Sequence, residues 1–189
     1  MWWFYTFDIT KFENLVGSKN ETIAQTVIEA ATWEDENEEL SRAASNLVMN
    51  GFDADNCSED NLKTYDELFQ ILFSPEGLSD ELDIKPISPD GVHPSLIVEM
   101  LEHAKDTSMT QMLINLKSGR RYKQVFTSDC EYCILTTNEV AALHNEVEKI
   151  INHGHNWSEQ SYPSVLKECL LDVLTTAQNN GNAVIALLG

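Results

Sequence analysis

Cys130 and Cys133 stand at the Cys-x-x-Cys spacing, which lets two thiols exchange a disulfide or bind zinc. A redox pair of this type starts a helix, whereas Ile134-Leu135 follows here and the segment is predicted to be a strand. A zinc site needs about four ligands, and no second pair stands at regular spacing. We interpret both residues as buried thiols and keep the redox or metal pair as the alternative.

The histidines show no catalytic pattern. His153 and His155 lie just past a predicted helix end and supply only half of a metal site, so we interpret both as solvated, with metal binding as the alternative. His144 is predicted to be a core-edge histidine. The chain contains neither a Gly-x-Ser-x-Gly nor a His-Glu-x-x-His motif. We predict no cofactor and no metal.

An acidic segment resembles the start of a calcium loop but departs from it at the decisive positions. Asp53 and Asp55 alternate as ligands would, yet Ser58 replaces the glycine of the sharp turn and Thr64 replaces the bidentate glutamate. The segment is therefore predicted to be an acidic connection between two helices.

The densest charge lies in Glu34-Asp35-Glu36-Asn37-Glu38-Glu39, which places five carboxylates at the start of a predicted helix. One interpretation is that these acids complement the helix dipole and keep the surface soluble. The other is a docking face for a basic protein. The second interpretation predicts these partner-binding residues: Glu34, Asp35, Glu36, Glu38, Glu39, Asp53 and Asp55.

Net charge restricts the class of partner. The chain carries 12 basic and 31 acidic residues, a formal charge of −19, of which residues 1–106 hold −17. This field repels phosphate backbones and anionic lipid surfaces, so we expect neither nucleic acid nor a membrane. The one basic cluster, Lys117, Arg120, Arg121 and Lys123, is expected to pair with the protein's own carboxylates or to face a partner.

Composition indicates one ordinary globular domain. The 189 residues include 42% hydrophobic and 23% charged residues and four scattered cysteines, which favour reduced thiols and a cytoplasmic protein. No apolar run approaches the about 20 residues that a membrane span requires. The first residues, aromatic and without a basic region, do not resemble a leader.

The elements that position these residues alternate between strands and helices. Residues 2–9 are predicted to be a buried strand, followed by a short helix with Thr10 and Glu13 at capping-box spacing. Asn20 and Ser58 are predicted helix caps, and an amphipathic helix ends before Gly51.

Residues 74–94 hold four of the five prolines and are predicted to be a long loop that serves as a lid or binding segment. Pro94 suits the first turn of the next helix, and residues 109–116 are ambiguous between helix and strand.

The remaining chain closes the sheet. Residues 122–127 and 131–136 are predicted to form a hairpin around Ser128-Asp129. A capping box at Thr136 and Glu139 starts the clearest helix, a last helix starts near Pro163, and residues 183–188 form a final strand. We therefore predict a single α+β domain in which five or more helices cover a small mixed or antiparallel sheet, with the two terminal strands close together.

The opening Phe-Tyr-Thr-Phe-Asp-Ile-Thr-Lys-Phe-Glu-Asn-Leu-Val-Gly-Ser resembles small uncharacterised bacterial domains of the YfbM-like group, in which a strand runs into a short helix. Ala-Ala-Ser-Asn-Leu-Val-Met-Asn-Gly, the helix around Tyr65 and the final helix ending in Asn-Gly are similar to later segments of those domains. The resemblance covers about half of the chain in pieces, excludes its middle, and implies no site residues.

Two functions from different classes follow. The acidic bias without catalytic motifs favours a binding protein of the immunity or antitoxin type, which engages a basic partner such as a nuclease. The alternative is a small enzyme whose cleft lies near residues 75–94 and uses His93 or a carboxylate.

Overall fold

A four-stranded sheet gathers both ends of the chain. The computed structural model describes residues 1–33, 36–86, 90–104, 107–128, 130–153 and 157–189. Its strands pair antiparallel in the order β2-β1-β4-β3. They are β1 (Trp2–Phe7), β2 (Lys85–Pro86), β3 (Tyr132–Leu135) and β4 (Ala183–Leu188).

The terminal strands form the centre of this sheet. β1 and β4 pair along their whole lengths, from Trp2 opposite Leu188 to Phe7 opposite Ala183. Both strands are apolar because each is flanked by neighbours and covered by other elements. The prediction that the two ends of the chain lie together is confirmed.

The chain forms two compact units. The sheet unit comprises Met1–Phe7 and Lys85–Gly189, and the helical unit comprises Asp8–Ile84. The helical unit is thus an insertion in sequence between β1 and β2. The expectation of a single domain stays a prediction.

The helical unit consists of helices that begin with polar caps. They are α1 (Ile9–Leu15), α2 (Glu21–Ala31), α3 (Glu38–Asn50), α4 (Glu59–Leu72) and α5 (Ser79–Leu82), with a 3₁₀ turn at Ala54–Asn56. Asn20 and Ser58 cap α2 and α4 through their side chains, as predicted. The rings of this unit pack edge-on or tilted, except that Phe69 and Phe73 are stacked; they belong to Phe12, Phe52, Tyr65, Phe69 and Phe73.

In the described part of the sheet unit, five helices share a hydrophobic core with the sheet. They are α6 (Pro94–His103), α7 (Thr107–Ser118), α8 (Thr137–Asn152), α9 (Tyr162–Leu166) and α10 (Asp172–Asn180), with a π-helical turn at Lys167–Leu171 between the last two. Alternate residues of the strands, such as Trp2, Phe4, Val184 and Ala186, join their buried side chains in one core. The predicted α+β class and number of helices are confirmed.

The predicted end of the first strand and the predicted cap of the first helix differ from the structure. The first strand ends at Phe7 instead of residue 9, because Asp8 caps α1 by accepting from the backbone N–H groups of Thr10 and Lys11. The predicted capping box of Thr10 and Glu13 is therefore wrong. Residues 109–116, ambiguous in the sequence, lie within α7.

The predicted hairpin around Ser128-Asp129 is wrong. Residues 122–127 form turns, while β3 takes the C-terminal strand β4 as its antiparallel partner. The side-chain amide of Asn115 donates to the backbone carbonyl oxygen of Val125 at 3.0 Å, so this carbonyl has a partner that is not a neighbouring strand. Asp129 lies outside the described residues.

Residues 74–94 are more regular than predicted. They contain α5 and β2, and Val92 exchanges two backbone hydrogen bonds of 2.8 Å with Trp2. The segment extends the edge of the sheet, a pairing that proline-rich sequence does not reveal. Residues 87–89 lie outside the described part.

Candidate functional site

The acidic cluster begins α3. Asn37 caps this helix by accepting from the backbone N–H groups of Glu39 (2.9 Å) and Leu40 (3.1 Å). Glu36, Glu38 and Glu39 are exposed around this first turn, where carboxylates complement the positive end of the helix dipole. The predicted site residues Glu34 and Asp35 lie outside the described residues.

Asp53 and Asp55 lie beyond the other end of α3. Asp53 Oδ1 accepts from the Asp55 N–H at 3.1 Å, and its Oδ2 accepts from Asn56 Nδ2 at 2.6 Å. Both carboxylates are exposed in the 3₁₀ turn between α3 and α4, which confirms an acidic connection between helices. A helix of 13 residues is about 20 Å long, so the structure does not bring Asp53 and Asp55 to the Glu36–Glu39 cluster.

A groove lies between α3 and α4. Its volume is about 410 Å³, and nine residues line it: Glu39, Arg42, Ala43, Asn46, Cys57, Asp60, Asn61, Thr64 and Tyr65. Glu39 stands in the first turn of α3 and Asp60 in the first turn of α4. The groove therefore places carboxylates from two helices along one polar trough.

The sequence reasoning missed most of the residues that line this groove. Arg42 and Asn46 are four residues apart on α3, and Asp60 and Thr64 are four residues apart on α4, so each pair lies on one helix face. That polar spacing was the available signal. Which polar faces oppose each other depends on how α3 and α4 pack, which no local pattern contains.

The net charge of the helical unit is strongly negative. Asp8–Ile84 contains 4 basic and 19 acidic residues, a formal charge of −15, whereas the sheet unit contains 8 basic and 12 acidic residues, a charge of −4. Burial and the nearby Asp53 carboxylate raise the pKa of Cys57. Burial and then Cys57 raise the pKa of Tyr65. Both groups stay protonated at neutral pH, so neither supplies a nucleophilic anion to the groove.

The other cysteines are core residues. Cys133 is fully buried in β3, where burial raises its pKa to about 12 despite the opposing charge of Arg120. Cys130 is buried and its thiol donates to the carbonyl oxygen of Tyr132 at 3.2 Å. Neither begins a helix, in agreement with buried, unreactive thiols.

The histidines serve local structure. The Nδ1 atom of His93 caps α6 by accepting from the Ser95 N–H at 3.2 Å, so the lone pair that a base would use is engaged. His144 Nε2 lies 3.0 Å from Thr175 Oγ1, at the core edge as predicted. His153 is exposed and caps the C-terminus of α8, and His155 lies outside the described residues.

The basic cluster divides into a buried member and exposed members. Arg120 is 7% exposed and forms an ion pair with Glu139, its Nη1 lying 2.6 Å from Oε1. This confirms pairing with the protein's own carboxylates for Arg120. Lys117 and Lys123 are exposed.

Across 1–33, 36–86, 90–104, 107–128, 130–153 and 157–189, no group of three His, Cys, Asp or Glu side chains is placed to hold a metal ion. Within those same ranges, the helices are all too short or too polar to cross a bilayer.

Comparison with known proteins adds no relative. No family model, no curated protein and no solved structure matches the chain. The resemblance to the YfbM-like group therefore stays a prediction.

Proposed function

We propose that the helical unit binds a basic segment of a partner protein in the groove between α3 and α4, as an immunity protein or antitoxin engages a basic toxin. The observation that carries this proposal is the location of the groove in a unit of charge −15, with Glu39 and Asp60 lining it from two helices.

The lining residues fit an arginine- or lysine-bearing segment. A carboxylate accepts two parallel hydrogen bonds from a guanidinium group, and it does so more strongly where water is partly excluded. Asn46, Asn61 and Thr64 add amide and hydroxyl groups for the backbone of such a segment. Arg42, the cation of the groove, restricts the spacing at which the partner's own cations fit.

The exposed acids around the groove supply a second effect. A dense field of one sign raises the association rate of an oppositely charged protein and loses strength as salt screens it. Glu36 and Glu38 act in this way without lining the groove. Contact and steering are therefore assigned to different carboxylates, which makes them separable by substitution.

The test compares two charge-matched double variants. In Glu39→Lys/Asp60→Lys both changes fall on groove-lining residues, whereas in Glu38→Lys/Glu59→Lys they fall on the adjacent first-turn positions of the same helices. The partner is captured from a lysate of the source cells at low salt, identified, purified and titrated against each variant. The groove pair is expected to weaken binding about 100-fold or more through faster dissociation.

The control variant is expected to behave differently from the groove variant. Glu38→Lys/Glu59→Lys is expected to slow association and reduce salt dependence while dissociation stays close to wild type. Equal losses for both variants would assign binding to net charge alone. Capture of no basic protein, or of one whose affinity ignores ionic strength, would remove the proposal.

A further inference from the structure

A second pocket of the helical unit lies between α1, α2 and the segment of α5. Its volume is about 350 Å³, and it shares no lining residue with the α3–α4 groove. Small-molecule sites in proteins have volumes from about 300 to 1,000 Å³. Each of the three segments contributes three lining residues at positions i, i+3 and i+4, which lie on one helix face. All of them belong to Asp8–Ile84, so the pocket lies within one unit.

Apolar side chains form the floor of this pocket. Leu15, Val27, Leu78 and Leu82 are buried and Ile23 is half-buried. A mostly apolar lining with a few polar groups is typical of small-molecule sites. The floor therefore fits the apolar body of a ligand, whose burial removes apolar surface from water.

Backbone hydrogen bonds hold the walls of the pocket in place. The Asp8 N–H, at the start of α1, donates to the Leu82 carbonyl oxygen, at the end of α5, at 2.9 Å. The Leu78 N–H donates to the Leu72 carbonyl oxygen at 2.9 Å, which joins the start of α5 to the end of α4. The pocket is therefore formed before a ligand enters, which lowers the entropy lost on binding.

The polar lining residues carry charges of both signs. Lys11 on α1 and Glu81 on α5 are exposed. Within the described part of the chain, neither the Lys11 ammonium group nor the Glu81 carboxylate belongs to an ion pair. The Asn14 amide and the Thr26 hydroxyl oxygen add hydrogen-bonding groups to the same lining. A ligand that carries both an ammonium and a carboxylate group thus finds a counter-charge for each.

The charge of the helical unit selects among ligand classes. The unit carries −15, so it repels a ligand whose one charged group is a carboxylate. A ligand whose one charged group is an ammonium is attracted by the unit but meets the like charge of Lys11 at the pocket. A zwitterion has no net charge and forms charge-assisted hydrogen bonds with both Lys11 and Glu81.

We propose that this pocket binds a zwitterionic small molecule with an apolar body, of the class of the large apolar and aromatic α-amino acids. Its carboxylate pairs with Lys11, its ammonium group pairs with Glu81, and its side chain lies on the apolar floor. The proposal does not depend on the basic partner proposed above, because Glu39 and Asp60 do not line this pocket.

Isothermal titration calorimetry of the full chain with leucine, phenylalanine and tryptophan tests the proposal. At least one of them is expected to bind with a Kd between about 10 μM and about 1 mM, as fits ligands of about ten to fifteen non-hydrogen atoms. Glycine carries both charges without an apolar body, and it is expected to bind at least about tenfold more weakly.

Substitutions at the two charged residues test the pairing. The N-acetyl derivative of the tightest amino acid lacks the ammonium group and its amide derivative lacks the carboxylate, so each should bind about three- to tenfold more weakly. Glu81→Gln should weaken binding of the amino acid by a similar factor but leave the N-acetyl derivative unchanged, because both changes remove the same contact. Lys11→Gln should have the corresponding effect with the amide derivative. Both residues are exposed, so the fold is expected to survive.

Matched control variants remove the same charges elsewhere in the unit. Glu13→Gln and Lys63→Gln change exposed residues that do not line the pocket, and they are expected to bind the amino acid like wild type. Four outcomes would overturn the proposal. They are no binding of the three amino acids up to about 10 mM, glycine binding as tightly as they do, control variants that lose as much affinity as the pocket variants, and an N-acetyl derivative that Glu81→Gln weakens as much as the amino acid.

Discussion

The ion pair of Arg120 and Glu139 gives the sharpest prediction for stability. Its side chains are 8% and 24% exposed, with Nη1–Oε1 and Nη2–Oε2 distances of 2.6 and 2.9 Å. Arg120 also donates to the Ile134 carbonyl oxygen, and Glu139 Oε2 accepts from the Thr136 N–H at 2.9 Å. One pair thus connects the loop after α7, the strand β3 and the capping box of α8.

The two partners differ in what their removal leaves behind. Glu139→Gln leaves a guanidinium cation more than nine-tenths buried without a counter-charge, and we expect a loss of about 5 kcal/mol in the free energy of unfolding. Arg120→Met leaves a carboxylate that is a quarter exposed and keeps its Thr136 donors, so we expect about 3 kcal/mol. The double variant should recover about 2 kcal/mol relative to the sum.

The pair also predicts a pH dependence. Burial acts to raise the pKa of the Glu139 carboxyl, but its hydrogen bonds from Arg120 and Thr136 hold it below its ordinary value. A carboxyl with a lowered folded-state pKa stabilises the fold above its unfolded-state pKa, here near 4.5, and loses that contribution as pH falls through the folded-state value. The stability difference between wild type and Arg120→Met should therefore shrink below about pH 4.5.

Urea unfolding followed by tryptophan fluorescence measures these differences, because Trp2, Trp3 and Trp157 all lie in the sheet unit with the ion pair. A larger loss in the free energy of unfolding for Arg120→Met than for Glu139→Gln would contradict the burial argument. A difference between wild type and Arg120→Met that stays constant between pH 7 and about pH 3.5 would contradict the linkage.

Three further predictions concern backbone, thiols and caps. Gly119→Ala should destabilise the fold severely, since its φ is +80° and a Cβ would lie 1.7 Å from a backbone oxygen. Gly181→Ala, with φ +67° and open space around the new Cβ, should lower the free energy of unfolding by only about 1 kcal/mol, as measured by thermal unfolding. A thiol-reactive dye at neutral pH should label Cys57 slowly and leave Cys133 unlabelled until denaturant is added, and fast labelling of Cys133 would contradict its burial and its pKa of about 12. Asn20→Ala should cost about 1 kcal/mol by removing the cap of α2, and an unchanged urea midpoint would show that water replaces it.

Much of the local structure could be predicted because its causes lie within a few residues. The caps at Asn20, Ser58 and Thr136 satisfy N–H groups two or three positions ahead, so the signal and its effect are neighbours in sequence. The predicted cap of α1 was wrong because two candidate caps lie close together in the sequence. Asp8 and Thr10 both suit an N-cap, and the structure uses the earlier one.

The candidate site was predicted only in part. The acidic composition of residues 1–106 indicated where cations are attracted, and the structure places −15 of the charge in the helical unit. The composition did not indicate that Glu39 and Asp60 line one groove while Asp53 lies beyond the end of α3. Charge is a property of composition, whereas a groove depends on which faces of two helices pack together.

The sequence by itself determined the helix starts at Asn20, Ser58 and Thr136, the apolar character of the terminal strands and the acidity of the inserted unit, because each depends on residue type or on spacing along a few turns. Only the tertiary structure decided that β3 pairs with β4 and not with residues 122–127, that β2 joins the sheet edge, and that Val125 and Phe126 remain exposed. These outcomes depend on contacts between residues far apart in the chain. Their energies decide among pairings that local preference leaves equivalent.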